Sequence, residues 1–569
     1  MKSKNDAESS INEKKSETEP KSTFTVVRET VESIVIAFVL ALTFRTYIAE
    51  AFMIPTGSMA NELMGRHKDI YCSGCGFRFK VGATEEVDRN TGRQINGAYI
   101  NGVVCPNCRV GIDLSREAIA GRNWPSHSGD RIIVGKYPYR MHKPDRWDVF
   151  VFMFPGNTQT NYIKRLVGMP NETLRIQNGD VFTRPLDSAE ESDFQIVRKP
   201  ADKILAVMQN VYDDDKRNLD FELKTNWPRR WIADKNSVWE SEQDRSEYRC
   251  SASSNINWLV YQHVVPPFRV LLNYYQDVKS ADTPDTRPSL ITDMNAYNFT
   301  RMKSESFDPR QVSPNANQLG LHWTGDLIVE CDLTPSTASG NAYLQLVKGG
   351  SVFTATINLA NQTAYLSING QKDWKPKASI RIKAGEKTSL RFANVDQALY
   401  LWINDQLVTF DSSTQYDALD NSLPTNADLN PARIGVENAA VKVEHVKLFR
   451  DLYYIAAKRP IYRHITDFKD GILPFNEDST EDMENFFRKP ERWGSVERQY
   501  VQFDLHDGQY FALGDNSSHS EDSRLWGRPD DGIDFFVSEE LLIGKAQFVF
   551  WPRPYNSFIP NVFDMRKVK

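Results

Sequence analysis

One apolar segment near the N-terminus constrains the architecture more than any other feature. Its strongly apolar centre runs from Ser33 to Phe44 and is short for a span. One helical turn before it and Arg45–Ile48 after it bring it to the ~20 residues that cross a bilayer. The alternatives are a buried core helix and a cleaved signal peptide. The long preceding tail, with no small-x-small site following cleanly, disfavours a signal peptide. We therefore predict a membrane anchor over residues 23–50.

The residues that flank the segment indicate its orientation. Residues 1–22 are rich in Lys, Glu and Ser and carry few large apolar side chains, so we predict a disordered tail. Its lysines, together with Arg28, favour the tail on the cytoplasmic side. The loop after the segment also carries basic residues, so this bias is mild.

The composition excludes several classes of protein. With 569 residues the chain is long enough for two to four domains. A formal net charge of -6 and the lack of a basic run argue against a nucleic-acid partner. Aromatic residues make up 11% of the chain, and Gly and Pro are scattered through it, which favours strands and turns. We predict a mainly β fold.

Two Cys-x-x-Cys pairs lie within residues 68–118. Each pair sits on a turn that contains Gly or Pro, and together they supply four thiolates for a tetrahedral zinc ion. The alternative is two disulfides, since thiols oxidise outside the cytoplasm. With all four ligands supplied by Cys, the pattern predicts a structural zinc ribbon without catalytic metal. The four positions are Cys72, Cys75, Cys105 and Cys108. Cys250 and Cys331 stay open between free thiols and one bond.

Residues 291–455 contain many short alternating strands separated by turn signals. This pattern predicts a β-sandwich and resembles the laminin-G/concanavalin-like jelly rolls. The segment contains no calcium cluster and no paired catalytic carboxylates, so a glycosidase is not predicted. A protein or a glycan is the candidate ligand of the sandwich. Residues 216–290 stay unassigned.

A serine and a lysine are the candidate catalytic residues. Ser58 lies on a Pro/Gly turn directly after the anchor, although a serine in a turn is usually only a turn residue. A serine hydroxyl needs a base, and a lysine can serve if an apolar setting keeps it neutral. Lys164 has apolar neighbours on both sides. The alternative for Lys164 is an outward-facing lysine on a strand.

Several motifs, taken together and in order, resemble bacterial signal peptidase I. The resemblance covers residues 25–70, 120–215 and 500–555, and Gly544–Ala546 resembles the closing strand of that family. The motifs are Pro55–Met59, Gly129–Val134, Tyr162–Pro170, Gly514–Asn516 and Ser520–Gly527.

The resemblance implies roles for individual residues. Ser58 would be the nucleophile and Lys164 the general base. The Ser58 N–H and the Thr56 hydroxyl would form the oxyanion hole. The supporting residues would be Ser520 (a hydrogen bond that orients Lys164), Asp522 and Arg524 (a pair that braces the loop), Asp515, Asn516 and Tyr162.

The chain departs from the family pattern in three places. Ser517-Ser518-His519 stands where the family usually has Arg after Gly-Asp-Asn, and Asn171-Glu172 replaces the usual Gly-Asp after Pro170. The Cys-bearing insertion also lies at an unusual site, between the nucleophile and the next motif. Neither of the two residue replacements touches Ser58 or Lys164.

The resemblance implies an anchored serine endopeptidase with a β-rich catalytic domain and no catalytic cofactor. It would remove signal peptides from exported preproteins at small-x-small sites through an acyl-enzyme. Its partners would be preproteins and membrane lipid. It would be a single-pass protein of the bacterial inner membrane, with the catalytic domain on the exported side. The rivals are another type of Ser/Lys enzyme, such as a self-cleaving repressor, and an inactive anchored binding protein. The predicted peptidase parts are residues 51–215 and 456–569.

Overall fold

The computed structural model describes residues 23–88, 91–242, 244–277, 285–302, 320–419, 421–458, 465–477, 479–527, 532–552, 554–556 and 559–569. The predicted tail over residues 1–22 lies outside these ranges. The chain divides into two units, residues 1–50 and 51–569.

The described part of the first unit is a single apolar helix. Helix Thr23–Thr43 continues as one π-helical turn over Phe44–Ile48, and every residue from 23 to 48 is exposed. Its 26 residues span about 39 Å, more than the ~30 Å hydrocarbon core of a bilayer. The segment is therefore a candidate membrane span by length and composition, and it is not a buried core helix.

The second unit is mainly β, as predicted. Its α-helices are short because the polar and aromatic sequences between the strands rarely sustain a helical period. Among the described residues they are Leu114–Ile119, Pro138–Met141, Ala201–Val207, Leu219–Thr225, Phe268–Tyr275, Thr480–Phe487 and Ser523–Trp526. Single 3₁₀ turns join many of the strands.

An eight-stranded sheet, here called sheet I, carries residues 131–134, 162–168 and 544–546 of the sequence motifs. Asn157–Gly168 lies between Val149–Phe154 and Gln509–Leu513 and pairs with both in antiparallel fashion. In spatial order the strands are Ala49–Met53, Arg131–Gly135, Leu542–Trp551, Val149–Phe154, Asn157–Gly168, Gln509–Leu513 and Val537–Ser538, with Arg566–Lys567 paired to Leu542–Trp551.

A four-stranded sheet, sheet II, packs on sheet I. Leu174 and Phe503 of sheet II share one apolar cluster with Val167 and Phe511 of sheet I. Strands Glu172–Gln177 and Val501–Leu505 pair directly, so the two ends of the long stretch between them meet. The spatial order is Gln195–Ile196, Asp180–Pro185, Glu172–Gln177 and Val501–Leu505.

Two further sheets face each other across the largest apolar core and form a β-sandwich. Sheet III contains Trp239–Glu240, Glu247–Cys250, Val441–Arg450, Leu327–Pro335, Thr388–Val395, Ala398–Ile403, Gln406–Leu407 and, paired to Val441–Arg450, Gln209–Asp213. Sheet IV contains Trp231–Ala233, Asn257–Tyr261, Ala432–Glu437, Asn341–Lys348, Ser351–Asn358, Thr363–Ile368 and Lys377–Ser379. Alternate residues of these strands fill the core.

The sandwich begins earlier than the sequence indicates. Four of its strands fall within residues 216–290, to which the sequence pattern assigns no fold, and a fifth is Gln209–Asp213. These strands are only two to five residues long, too short for an alternating pattern to stand out.

Two small three-stranded sheets carry the four clustered cysteines at their turns. One contains Arg78–Gly82, His67–Tyr71 and Ser126–His127, and the other contains Thr300–Met302, Ile100–Val104 and Gly111–Asp113. A two-stranded ribbon joins Pro554–Asn556 and Ile559–Pro560. All six cysteines are free thiols, so the disulfide alternative is wrong for this structure.

Candidate active site

Ser58 lies on a tight turn that follows the first strand of sheet I. Pro55 and Thr56 lead into the 3₁₀ turn Gly57–Met59, and Thr56 keeps an extended backbone. The Ile54 N–H donates to Asp130 O at 2.9 Å, which ties the start of the turn to the chain beside strand Arg131–Gly135. Ser58 is only 7% exposed. The turn therefore presents its hydroxyl to the protein interior.

Lys164 reaches Ser58 from the middle of sheet I. Its strand pairs Lys164 with Phe150, and the lysine is 4% exposed. Lys164 Nζ lies 2.8 Å from Ser58 Oγ and donates to Ile163 O at 3.2 Å. The predicted pair, separated by 106 residues in the chain, is thus in direct contact.

Burial makes the amine of Lys164 a weaker base than the amine of an ordinary lysine. Desolvation lowers the pKa of its ammonium from 10.5 to about 8, against the opposing effect of the carboxylates Asp522, Glu521 and Asp515. A sizeable neutral fraction therefore exists near neutral pH. A neutral amine at 2.8 Å can accept the hydroxyl proton of a serine, which is the geometry that general-base catalysis requires.

Ser520 does not make the predicted hydrogen bond to Lys164. It is 1% exposed, and its hydroxyl has no hydrogen-bond partner among the described residues. The Lys164 ammonium instead bonds to Ser58 and to a backbone carbonyl. Ser520 packs over Gly514, where a Cβ would lie 2.1 Å from the Ser520 hydroxyl. The predicted orienting contact is wrong for this structure, although Ser520 does line the site.

The predicted pair of Asp522 and Arg524 is present and fully buried. Their closest atoms are 2.8 Å apart, and neither side chain is exposed. Asp522 also accepts the Gly514 N–H at 3.1 Å. Arg524 donates to the Ser517 hydroxyl and to Ile455 O, both at 2.8 Å. Ser517, one of the departures from the family pattern, is therefore held by the same arginine.

The Gly-Asp-Asn loop forms hydrogen bonds both to the strand that carries Lys164 and to the turn that carries Ser58. Arg165, next to Lys164, makes a bidentate pair with Asp515, with both N–O distances at 2.7 Å. The Asn516 N–H donates to Ser58 O at 3.0 Å, and its side-chain amide donates to Gly57 O at 3.1 Å. Asp515 thus fixes the lysine strand, and Asn516 fixes the serine turn.

Comparisons with known proteins match parts of this chain to one family. The family model described as "Signal peptidase, peptidase S26" matches residues 124–214 and 429–551. The resemblance to signal peptidase I is confirmed. These two ranges contain Lys164, Ser520, Asp522 and Arg524, whereas Ser58 lies outside them.

Individual signal peptidases match over short stretches. Signal peptidase I of Pseudomonas fluorescens is 41% identical over 72 residues, which are 12% of this chain and 25% of that protein. Probable signal peptidase I-2 of Synechocystis is 37% identical over 71 residues, 12% of this chain and 27% of that protein. The chain therefore spans about a quarter of the length of these two relatives. A solved carbohydrate-binding module, CBM66 from Bacillus subtilis, is 10% identical and covers 38% of this chain and 94% of its own, with a TM-score of 0.21.

Two more residues that the signal peptidase resemblance singles out lie close to the pair. The Tyr162 ring centroid is 5.3 Å from Lys164 Nζ, and the ring stacks on Phe154 at 4.5 Å. Thr56 is exposed and precedes Ser58 by two residues. Its part in an oxyanion hole stays a prediction.

The four clustered cysteines have the geometry of a tetrahedral metal site. Cys72 and Cys108 have their sulfurs 3.6 Å apart, as do Cys75 and Cys105, and all four sulfurs lie within 4.8 Å of one another. Disulfides need ~2.05 Å. Four sulfurs at ~2.3 Å from one Zn²⁺ would be roughly 3.8 Å apart, close to the observed separations. The cluster could therefore hold a structural metal.

Sequence reasoning missed one group of residues at the site. Asn295, Tyr297 and Asn298 come from the region between the two peptidase segments, and they contact the serine turn and the Gly-Asp-Asn loop. They belong to no motif of the signal peptidase family quoted above, and only the fold brings them here.

Proposed function

We propose that this chain is a membrane-anchored serine endopeptidase that removes signal peptides from exported preproteins. The observation that carries the proposal is the 2.8 Å contact between Lys164 Nζ and Ser58 Oγ in a buried setting. The match to the signal peptidase family supports the substrate class. The rival of an inactive binding protein predicts no such buried pair with a lowered lysine pKa.

The proposed reaction has two halves. Neutral Lys164 takes the proton from Ser58 as its oxygen attacks the scissile carbonyl, and the Ser58 N–H with the Thr56 hydroxyl stabilises the oxyanion. Lys164 then gives the proton to the leaving amine, and an ester to Ser58 remains. Water deprotonated by Lys164 hydrolyses the ester and regenerates the free serine.

We further propose roles for the anchor and for the four-cysteine metal site. A single span over residues 23–50, with residues 51–569 on the exported face of the bacterial inner membrane, would keep the enzyme beside substrates that are themselves held in the membrane. Zn²⁺ at the four cysteines would stabilise the two small hairpin sheets and take no part in the chemistry. The sandwich would bind a protein or a glycan.

The test is cleavage of a preprotein with an Ala-x-Ala site by the full chain in detergent. We expect cleavage by the wild type and by Lys383→Ala, an exposed lysine that pairs only with Glu386 among the described residues. Ser58→Ala and Lys164→Ala should each be inactive. Normal turnover by either variant would overturn the proposal.

A further inference from the structure

A short segment of the inserted region, Asn295–Asn298, lies against the candidate active site. The Asn295 side chain accepts the Tyr297 N–H at 3.0 Å and starts the 3₁₀ turn Ala296–Asn298. The segment is far in sequence from both Ser58 and the Gly-Asp-Asn loop, yet it contacts both. We call it the clamp segment.

The first contact of the clamp segment is a reciprocal amide pair. Asn298 and Asn516 each donate to the other's side-chain oxygen at 2.8 Å, and Asn298 also donates to the Ser518 hydroxyl at 3.1 Å. Asn516 is 2% exposed. Because both ends of the Asn516 amide are engaged, the amide cannot flip without breaking both bonds.

This pair bears directly on the serine turn. The nitrogen of the same Asn516 amide donates to Gly57 O, and the Asn516 N–H donates to Ser58 O. Asn298 therefore holds Asn516 in place, and Asn516 in turn holds the backbone carbonyls of Gly57 and Ser58. Without the pair, the Asn516 amide would keep its bond to Gly57 O and only a longer one, 3.4 Å, from the Asn295 amide, while Lys164 would stay buried.

The second contact is an aromatic ring under the turn. Tyr297 is 5% exposed, and a Cβ on Gly57 would lie 2.1 Å from its ring. Its hydroxyl donates to Arg66 O at 3.1 Å, and Ala60 and Met64 pack around it. Glycine at position 57 is thus required by the close approach of the ring, and the ring limits how far the turn can move.

The clamp segment is itself held by the cysteine-bearing hairpins. Strand Thr300–Met302, which follows it, pairs with Ile100–Val104, and Val104 immediately precedes Cys105. Tyr297 also packs against Gly82, at the end of a strand of the other hairpin sheet. Both insertions therefore support the same side of the serine turn.

We propose that Asn298 and Tyr297 are positioning residues for Ser58, so that the inserted region completes the active site. This inference rests on the proposed function. The inserted chain sets the orientation of Ser58 toward Lys164, and the activity of the peptidase part depends on it.

The test compares Asn298→Ala with Asn341→Ala in the full chain. Asn341 is a matched control, because its amide also accepts from another asparagine, Asn358, at 2.9 Å, within the sandwich. We expect Asn298→Ala to lower kcat for preprotein cleavage by about 10- to 100-fold, since small displacements of a reacting group carry large rate penalties. KM should change less than about threefold, and the pH midpoint of kcat/KM should stay that of the wild type.

A second measurement does not depend on activity. Hydrogen exchange of the peptide that contains Gly57–Met59 should be faster in Asn298→Ala than in the wild type and unchanged in Asn341→Ala. If Asn298→Ala does not fold, Asn298→Asp is used instead. It keeps the oxygen that accepts from Asn516, and a smaller loss of kcat is expected.

The outcomes separate this inference from the proposed function. Wild-type kcat and wild-type exchange in a folded Asn298 variant, with Ser58→Ala inactive, would overturn the clamp and leave the peptidase proposal intact. Full activity of Ser58→Ala would overturn the proposed function, and the exchange measurement would still decide whether the clamp orders the turn.

Discussion

The protonation of Lys164 gives the sharpest quantitative prediction. Only the neutral amine can accept a proton, so activity should rise with pH through the lysine pKa of about 8. At pH 7 such a lysine is roughly 9% neutral, whereas at the ordinary value of 10.5 it would be roughly 0.03% neutral. Burial thus supplies about a 300-fold larger fraction of active base at pH 7, by the same arithmetic.

The assay is kcat/KM for preprotein cleavage between pH 6 and 10. We expect a rise with a midpoint near 8. Glu521, an exposed carboxylate, raises the pKa of Lys164, so Glu521→Gln should move the midpoint to lower pH. Glu540→Gln, also exposed and outside the groups with the largest effects on Lys164, is the control and should leave the midpoint in place. A wild-type midpoint near 10 would refute the reasoning, as would an upward shift with Glu521→Gln.

Three further predictions concern the frame of the site. Asp522→Asn should lower the free energy of unfolding by about 3–5 kcal/mol in denaturant titration, because it leaves the buried Arg524 unpaired; an unchanged midpoint would contradict this. Elemental analysis should find about one zinc per chain. Cys75→Ser should lose the metal and melt at a lower temperature than the wild type. A wild type that contains no metal and melts at the same temperature as Cys75→Ser would exclude the metal site. Gly57→Ala should lower kcat by about 100-fold, because its methyl group displaces the turn from the ring beneath it. The control Gly494→Ala, which has open space at its Cβ, should keep wild-type activity, and equal rates for the two would argue against the packing described here.

The sequence predicted those parts of the site that a short motif carries. Local context makes Ser58 and Lys164 candidates only, and the resemblance to signal peptidase I assigns their roles and implies the Asp522–Arg524 pair. Sheet I brings them together because the strand before Gly514 pairs directly with the lysine strand. A motif specifies such contacts because few alternative arrangements of the same strands satisfy them.

Other parts could not be predicted from the sequence. The position of Ser520 depends on the side-chain packing over Gly514, which no motif encodes. Asn298 and Tyr297 lie in a segment without a recognisable period, and only the pairing of Thr300–Met302 with Ile100–Val104 places them. The early strands of the sandwich, such as Trp231–Ala233, are likewise defined by their partners and not by their own pattern.

The central claim is that Ser58 attacks the preprotein with Lys164 as its base. The most direct test is to mix enzyme and preprotein, quench in acid, and map the acyl ester by mass spectrometry. We predict that the peptide containing Ser58 gains the mass of the signal peptide less one water, and that Lys164→Ala carries no adduct. An adduct on another residue, or cleavage by Ser58→Ala at the wild-type rate, would contradict the account.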